Sequence, residues 1–186
     1  VVVDQPDERT WVVAPGPIAA LDTTIEPDLT NASVFLAAGA ATGGRVTVPG
    51  WPARSLQPGA LFLDVAERMG AVVERGADSV TVSGAGRLRG VDVDLTAASE
   101  LTPVVAALGA LAEGTTVVRG VAHIRGHETD RLAALVAELT RAGIAARETD
   151  DGLVVEGGAP IRPAVLRTYA DHRLAHLAAL LALRAP

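Results

Sequence analysis

Phe35-Leu36-Ala37-Ala38-Gly39-Ala40-Ala41 runs through Gly43-Gly44 into the alternating Val46-Thr47-Val48 and stops at Pro49-Gly50. Starting 70 positions on, with Gly109 in the place of Gly39, the design returns as Ala106-Ala107-Leu108-Gly109-Ala110-Leu111-Ala112, then Gly114, then Thr115-Thr116-Val117-Val118 and Gly120. Each copy reads as an almost wholly apolar helix, a glycine stop and a short strand. A repeat of this length dictates the architecture, so it takes precedence over any short motif.

The downstream segments also match. After the first copy, Leu61, Val65 and Met69 mark an amphipathic helix, followed by Gly70, a strand Ala71 to Glu74, an Ala77-Asp78 turn and a strand Ser79 to Ser83. After the second, Leu132, Leu135, Val136 and Leu139 mark the helix, followed by Gly143, a strand Ile144 to Arg147, a Thr149 to Gly152 turn and a strand Leu153 to Glu156. A third copy opens within Leu166 to Leu183, and Thr10 to Ala14 reads as the last strand of an earlier one. Helices apolar on all sides need burial on all sides, which grouping the units around those helices with their sheets outward would provide. The expected class is α/β or α+β, with boundaries near Pro15-Gly16-Pro17 and in the Pro- and Gly-rich Pro49 to Pro58 loop. No G-x-G-x-x-G or P-loop follows a strand, which argues against a doubly wound nucleotide fold and a dinucleotide or ATP site.

Composition excludes further classes. The 186 residues carry a net charge of −6, all 16 cations are arginine, and aromatics are 3%, so neither a phosphate-backbone footprint nor a base-stacking platform is expected. With 49% hydrophobic and 20% charged residues the chain is expected to fold around a substantial core. Cysteine is absent, which removes disulfides and thiolate sites from these residues and fits a reducing cytoplasm. Neither a secretory signal nor a run of the ~20 apolar residues needed to span a bilayer is visible, so the expectation is a protein with no membrane and no nucleic-acid partner.

Polar residues gather just before the helices: Ser99-Glu100, the run His123 to Arg131, and Tyr169 to Arg173. Free N–H groups and the helix dipole make such places anion sites when Arg and His cluster there. A helix starting near Glu128 or Thr129 would set Glu128 and Arg131 one turn apart on one face. Taken singly, each run is also what a capped helix with solvated charges looks like, and Glu100 alone reads as a cap or dipole partner. The pairs His123/His127 and His172/His176, with Glu128, are ligand types for zinc. Gly126 interrupts the first pair in a loop, and His176 among Leu174, Ala175, Leu177 and Ala178 reads as a satisfied core histidine, so no metal site and no cofactor are expected.

At Glu26-Pro27-Asp28 with Phe35 to Ala38, Gly126-His127-Glu128-Thr129-Asp130-Arg131-Leu132 and Tyr169-Ala170-Asp171-His172-Arg173 the sequence resembles the 5-enolpyruvylshikimate-3-phosphate (EPSP) synthase family. The Arg-for-Lys, Ala-rich usage is similar to its actinobacterial branch. The resemblance implies an enolpyruvyl-transferase-like fold, two domains of repeated β-α-β-α-β-β units with the substrates between them. Residues 1–25 would end the first domain, and 26–186 would be two repeats and the start of a third in the second domain. The first domain and a lysine near the family's C-terminus would lie outside these residues, leaving about half an active site.

The implied reaction joins the 5-hydroxyl of shikimate 3-phosphate to C2 of phosphoenolpyruvate, protonates C3 and expels phosphate. By resemblance Glu100 binds the shikimate hydroxyls and accepts a proton, and Glu128 is the second acid/base carboxylate. His127 stands where many members have Lys, which makes its charge depend on pH, and His123 where many have Asn, both near the shikimate substrate. Arg131 and Arg173 correspond to guanidiniums gripping phosphoenolpyruvate, with His172 beside them. A sister family acting on UDP-N-acetylglucosamine and a non-catalytic anion- or carbohydrate-binding module are the alternatives. On the transferase reading Glu100, His127, Glu128, Arg131, His172 and Arg173 should converge on one open face.

Overall fold

A computed structural model describes residues 1–186. Two copies of one unit form most of it. In the first, α1 (Leu29–Thr42) leads into β3 (Arg45–Pro49), α2 (Phe62–Arg68), β4 (Val72–Arg75) and β5 (Ser79–Ser83). In the second, α3 (Thr102–Leu111) leads into β7 (Gly114–Arg119), α4 (Arg131–Arg141), β8 (Ala145–Glu148) and β9 (Leu153–Gly157). The helix α5 (His172–Ala182) opens a third. In both sheets the last strand sits in the middle and pairs antiparallel on each side, Arg45 opposite Ser83 in one and Gly114 opposite Gly157 in the other.

Both helices of a unit pack on its sheet, while α1, α3 and α5 pack on one another, so the apolar helices form the centre and the sheets the outside. All-round burial holds for α3, where every residue from Thr102 to Ala110 is buried. It does not hold for α1 and α5, which bury one side only and leave Phe35 66% exposed. The helix α3 is covered by α1, α4 and α5 as well as by its own sheet, which closes it on every side.

Glycines set the helix-to-sheet distance in both copies. A Cβ on Gly39 would lie 2.7 Å from the Val82 carbonyl oxygen, and one on Gly109 would lie 2.8 Å from the Thr116 side chain. Below the ~3.0 Å that real Cβ atoms tolerate, neither alanine fits without movement. Gly70 and Gly143, with φ of 99° and 86°, end α2 and α4 in the left-handed conformation that glycine adopts at little steric cost.

Two strands escaped the sequence reading. One is β6 (Asp92–Asp94), parallel to β7 with Asp92 opposite Val117. A three-residue strand with a single apolar side chain has no readable period, and its pairing comes from tertiary context. The other is β1 (Val3–Asp7), which forms a hairpin with the anticipated strand β2 (Thr10–Val13). Residues 1–25 are exposed throughout and burial begins at Glu26. No helix is long and apolar enough to cross a membrane.

Candidate active site

The starts of three helices carry the site. Leu101 leads straight from a 3-10 turn (Thr96–Leu101) into α3 and delivers Glu100. A second 3-10 turn (Ala122–Gly126) carries His123 and delivers His127 and Glu128. The helix α4 starts at Arg131, with the Asp130 carboxylate accepting the Ala133 N–H, three residues later than the sequence suggested at the earliest. Glu128 therefore lies in the loop, where it still meets Arg131. Asp171 caps α5 by accepting the Arg173 N–H, which sets His172 and Arg173 in the first turn.

Arg131 joins these pieces. Its Nε donates to Asp171 Oδ2 at 2.7 Å, Nη1 to Glu100 Oε1 and His127 Nδ1 at 2.9 Å each, and Nη2 to Glu128 Oε2 at 2.5 Å and Asp171 Oδ1 at 3.4 Å. Every guanidinium N–H is thus directed at a partner. The side chain is 0% exposed, so it is not the open anion grip that was expected. The cost of burying this cation is offset by the carboxylates around it, one of which, Asp171, is also fully buried.

Glu100 bridges the two arginines through Arg131 Nη1 and a close ion pair with Arg173 Nε. That Arg173 nitrogen is buried and not aligned as a hydrogen bond. Burial by itself would raise the Glu100 carboxyl, but the charges of Arg173 and Arg131 outweigh it and hold the group below the ordinary carboxylate range. Asp171 is likewise lowered, since its hydrogen bonds from Arg131 and from the Arg173 N–H overcome its desolvation. His127 Nδ1 is 2.9 Å from Arg131 Nη1 and 3.1 Å from Glu100 Oε1. Unprotonated, it accepts from Arg131; protonated, it donates to Glu100.

Glu100, His127, Glu128, Arg131 and Arg173 therefore form one connected cluster, although Glu100 and Arg173 lie in different repeats. His123 joins at its edge, with Nε2 2.9 Å from Ser99 Oγ and its ring 5.9 Å from that of His127. His172 stands at the rim, 55% exposed and 4.0 Å from Asp171. His176 is only half-buried and makes no hydrogen bond, which corrects its reading as a satisfied core residue. No group of three His, Asp or Glu side chains is arranged to hold a metal ion.

Asp171 and Ser99 were not singled out from the sequence as site residues. An Asp before a helix signals a cap, and nothing local shows that the same carboxylate will meet Arg131, 40 positions away.

Chemically, the cluster offers the carboxylates of Glu100, Glu128 and Asp171, the guanidiniums of Arg131 and Arg173 and the imidazoles of His123 and His127 around the convergence of three helix starts. Such a set can bind anions and move protons.

The sequence model of EPSP synthase (3-phosphoshikimate 1-carboxyvinyltransferase) matches residues 1–186. The chain is 53% identical over 180 residues to the 3-phosphoshikimate 1-carboxyvinyltransferase of Kocuria rhizophila, covering 97% of this chain and 40% of that protein. In fold it is similar to EPSP synthase from Acinetobacter baumannii, with a TM-score of 0.82 at 23% identity over 98% of this chain and 45% of the other. The enolpyruvyl transferase NikO from Streptomyces tendae gives 0.68 at 28% identity over 99% and 43%. The chain thus spans 40% of the length of its curated relative. With the match running from the first residue to the last and through all three helix starts, the chain belongs to the EPSP synthase family.

Proposed function

We propose that these residues supply one wall of a site that transfers the enolpyruvyl group of phosphoenolpyruvate to the 5-hydroxyl of shikimate 3-phosphate with release of phosphate. Family membership supports the reaction. The observation that carries the site is the shared carboxylate of Glu100 between Arg131 and Arg173, next to Glu128 and His127. Residues 1–25 are assigned to the end of another domain of a longer protein, whose wall would close over the substrates. The reaction is taken to run in the cytoplasm.

The geometry suggests how substrate would change the site. The guanidiniums are now engaged by Glu100, Glu128 and Asp171. An anionic substrate that takes Arg173 would relieve Glu100 of one of the two cations that lower it and let burial push it upward. Glu100 would thereby become a stronger base at the moment the 5-hydroxyl must lose its proton. Glu128 would serve as the second carrier, for protonation at C3, with His127 and His123 orienting the shikimate hydroxyls and His172 standing beside the phosphoenolpyruvate end.

The test is phosphate release from the two substrates by a longer protein that contains this chain. Glu100→Gln and Glu128→Gln should each lower kcat by roughly 10²–10⁴-fold with a smaller change in KM, because an amide keeps the size and one acceptor oxygen but cannot carry the proton. A rise in KM alone would make that residue a binding group. Absence of turnover in the unaltered longer protein, with anion binding retained, would favour the binding module instead.

A further inference from the structure

The helix α4 carries a second buried charge that the site description leaves unused. Glu138 lies two turns beyond Arg131 on the same stripe of the helix and is 0% exposed. Its carboxylate accepts the Arg167 N–H at 2.9 Å, the Tyr169 hydroxyl at 2.7 Å and Arg141 Nε at 3.2 Å. Two of these three donors belong to the segment that leads into α5.

That segment holds an unusual turn. Tyr169 and Ala170 have φ of 55° and 57°, and the Asp171 N–H donates to the Thr168 carbonyl at 2.8 Å. Two consecutive left-handed residues closed by such a bond are the signature of a type I′ turn, a shape that normally selects Asn and Gly. A tyrosine and an alanine take it only where the surroundings hold them. Here the turn is clamped at both ends by one helix, through Glu138 before it and through Arg131 on Asp171 after it.

We infer that Glu138 and Tyr169 are positioning residues for Arg173: the α4 clamp fixes the strained turn, and the turn fixes where the first turn of α5 presents that guanidinium. The inference rests on the proposed role of Arg173 in gripping phosphoenolpyruvate. Glu138 is kept charged despite burial, because its donors outweigh the desolvation that would raise it. The hydroxyl of Tyr169 is correspondingly reluctant to ionise beside that carboxylate.

The experiment uses a longer protein containing this chain, with Tyr169→Phe, Glu138→Gln and the double variant. Tyr169→Phe removes one hydroxyl from a partly exposed ring and so serves even if Glu138→Gln folds poorly. Each single variant should raise the KM for phosphoenolpyruvate about tenfold, with kcat and the KM for shikimate 3-phosphate changing less than about threefold, since a misplaced binding guanidinium weakens ground and transition states alike. The double variant should cost no more than the larger single one, as both act on one strap. Loss of kcat and of thermal stability with the phosphoenolpyruvate KM unchanged would overturn the inference, and so would additive effects.

Hydrogen exchange in the same proteins reads the strap without turnover. The Asp171 and Arg173 amides should exchange about tenfold faster in both variants. Unchanged exchange there would overturn the strap, whereas a wild-type protein that does not turn over would count against the proposed function and leave the strap to be judged by exchange alone.

Discussion

The two complete repeats, residues 29–83 and 102–157, are built alike and used differently. Each places a glycine of its apolar helix against its own sheet, ends its amphipathic helix on a left-handed glycine and puts its last strand in the middle. Yet α1 begins with Asp28, Thr30 and Asn31, and α2 follows Pro58-Gly59-Ala60-Leu61, while the matching places of the second repeat hold Glu100 and His127-Glu128 with Arg131. The scaffold is thus indifferent to what its helix starts carry. Thr30, Glu100 and Arg173 line the same small cavity, so three units supply equivalent positions and only two of them supply charge.

The strongest test of that contrast is Arg131→Leu in the isolated chain. It strands Asp171, which is fully buried, and removes a counterion from Glu100 and Glu128, so unfolding free energy from urea titration should fall by about 3–5 kcal/mol. A loss under ~1 kcal/mol would mean that the second repeat, like the first, owes little of its stability to ion pairs.

Next comes the shared glycine. Gly39→Ala meets the Val82 carbonyl oxygen at 2.7 Å and Gly109→Ala meets the Cβ of Thr116 at 2.8 Å, and no rotamer change moves either atom aside. Both should destabilise by roughly 1–3 kcal/mol and by similar amounts. A clear gap between the two would show that the repeats pack less alike than their glycines suggest.

Acid should separate the repeats by a smaller margin. Asp171, Glu138 and Glu100 titrate below the ordinary carboxylate range in the folded chain, their cationic and N–H partners outweighing burial. A carboxylate lowered by folding contributes fully above its unfolded value, near 3.8 for Asp and 4.5 for Glu, and that contribution is lost as pH falls through the folded value. His176 is lowered from 6.5 by burial and by the charges of His172 and Arg173, so it favours the unfolded chain once pH drops below that figure. Stability should therefore sag slightly below about pH 6.5 and steeply below about pH 4, and Asp171→Asn should flatten the steep part. The smallest effect is expected at the exposed Arg45–Glu74 pair of the first sheet, where Glu74→Gln should leave the urea midpoint unchanged.

Element types were legible in the sequence because apolar periods and glycine stops are local signals. The copies of Gly39 and Gly70 at Gly109 and Gly143 announced two units of one design. The polar runs before the helices were visible too, and five of the six residues expected to converge do so in direct contact. What stayed hidden depends on distance in space. That Arg131 would be enclosed, that Asp171 would serve two partners and that Glu138 would hold Tyr169 are facts about which side chains meet across 31 to 40 positions. A single chain read in order carries no trace of them. The start of α4 was misplaced for a related reason: Glu128-Thr129 resembles a helix start, but Asp130 supplies the cap.

Asp171 caps one helix with one oxygen while both its oxygens face the guanidinium that opens another. The first turns of α4 and α5 therefore cannot loosen independently, since releasing either leaves an ion without its partner in the interior. Units stacked side by side usually communicate through broad apolar contact, which lets terminal elements fray first. Here a buried carboxylate shared by both helix starts adds to the packing of the last helix on α3 and ties it into the cooperativity of the unit before it, so the two helix starts should melt as one body.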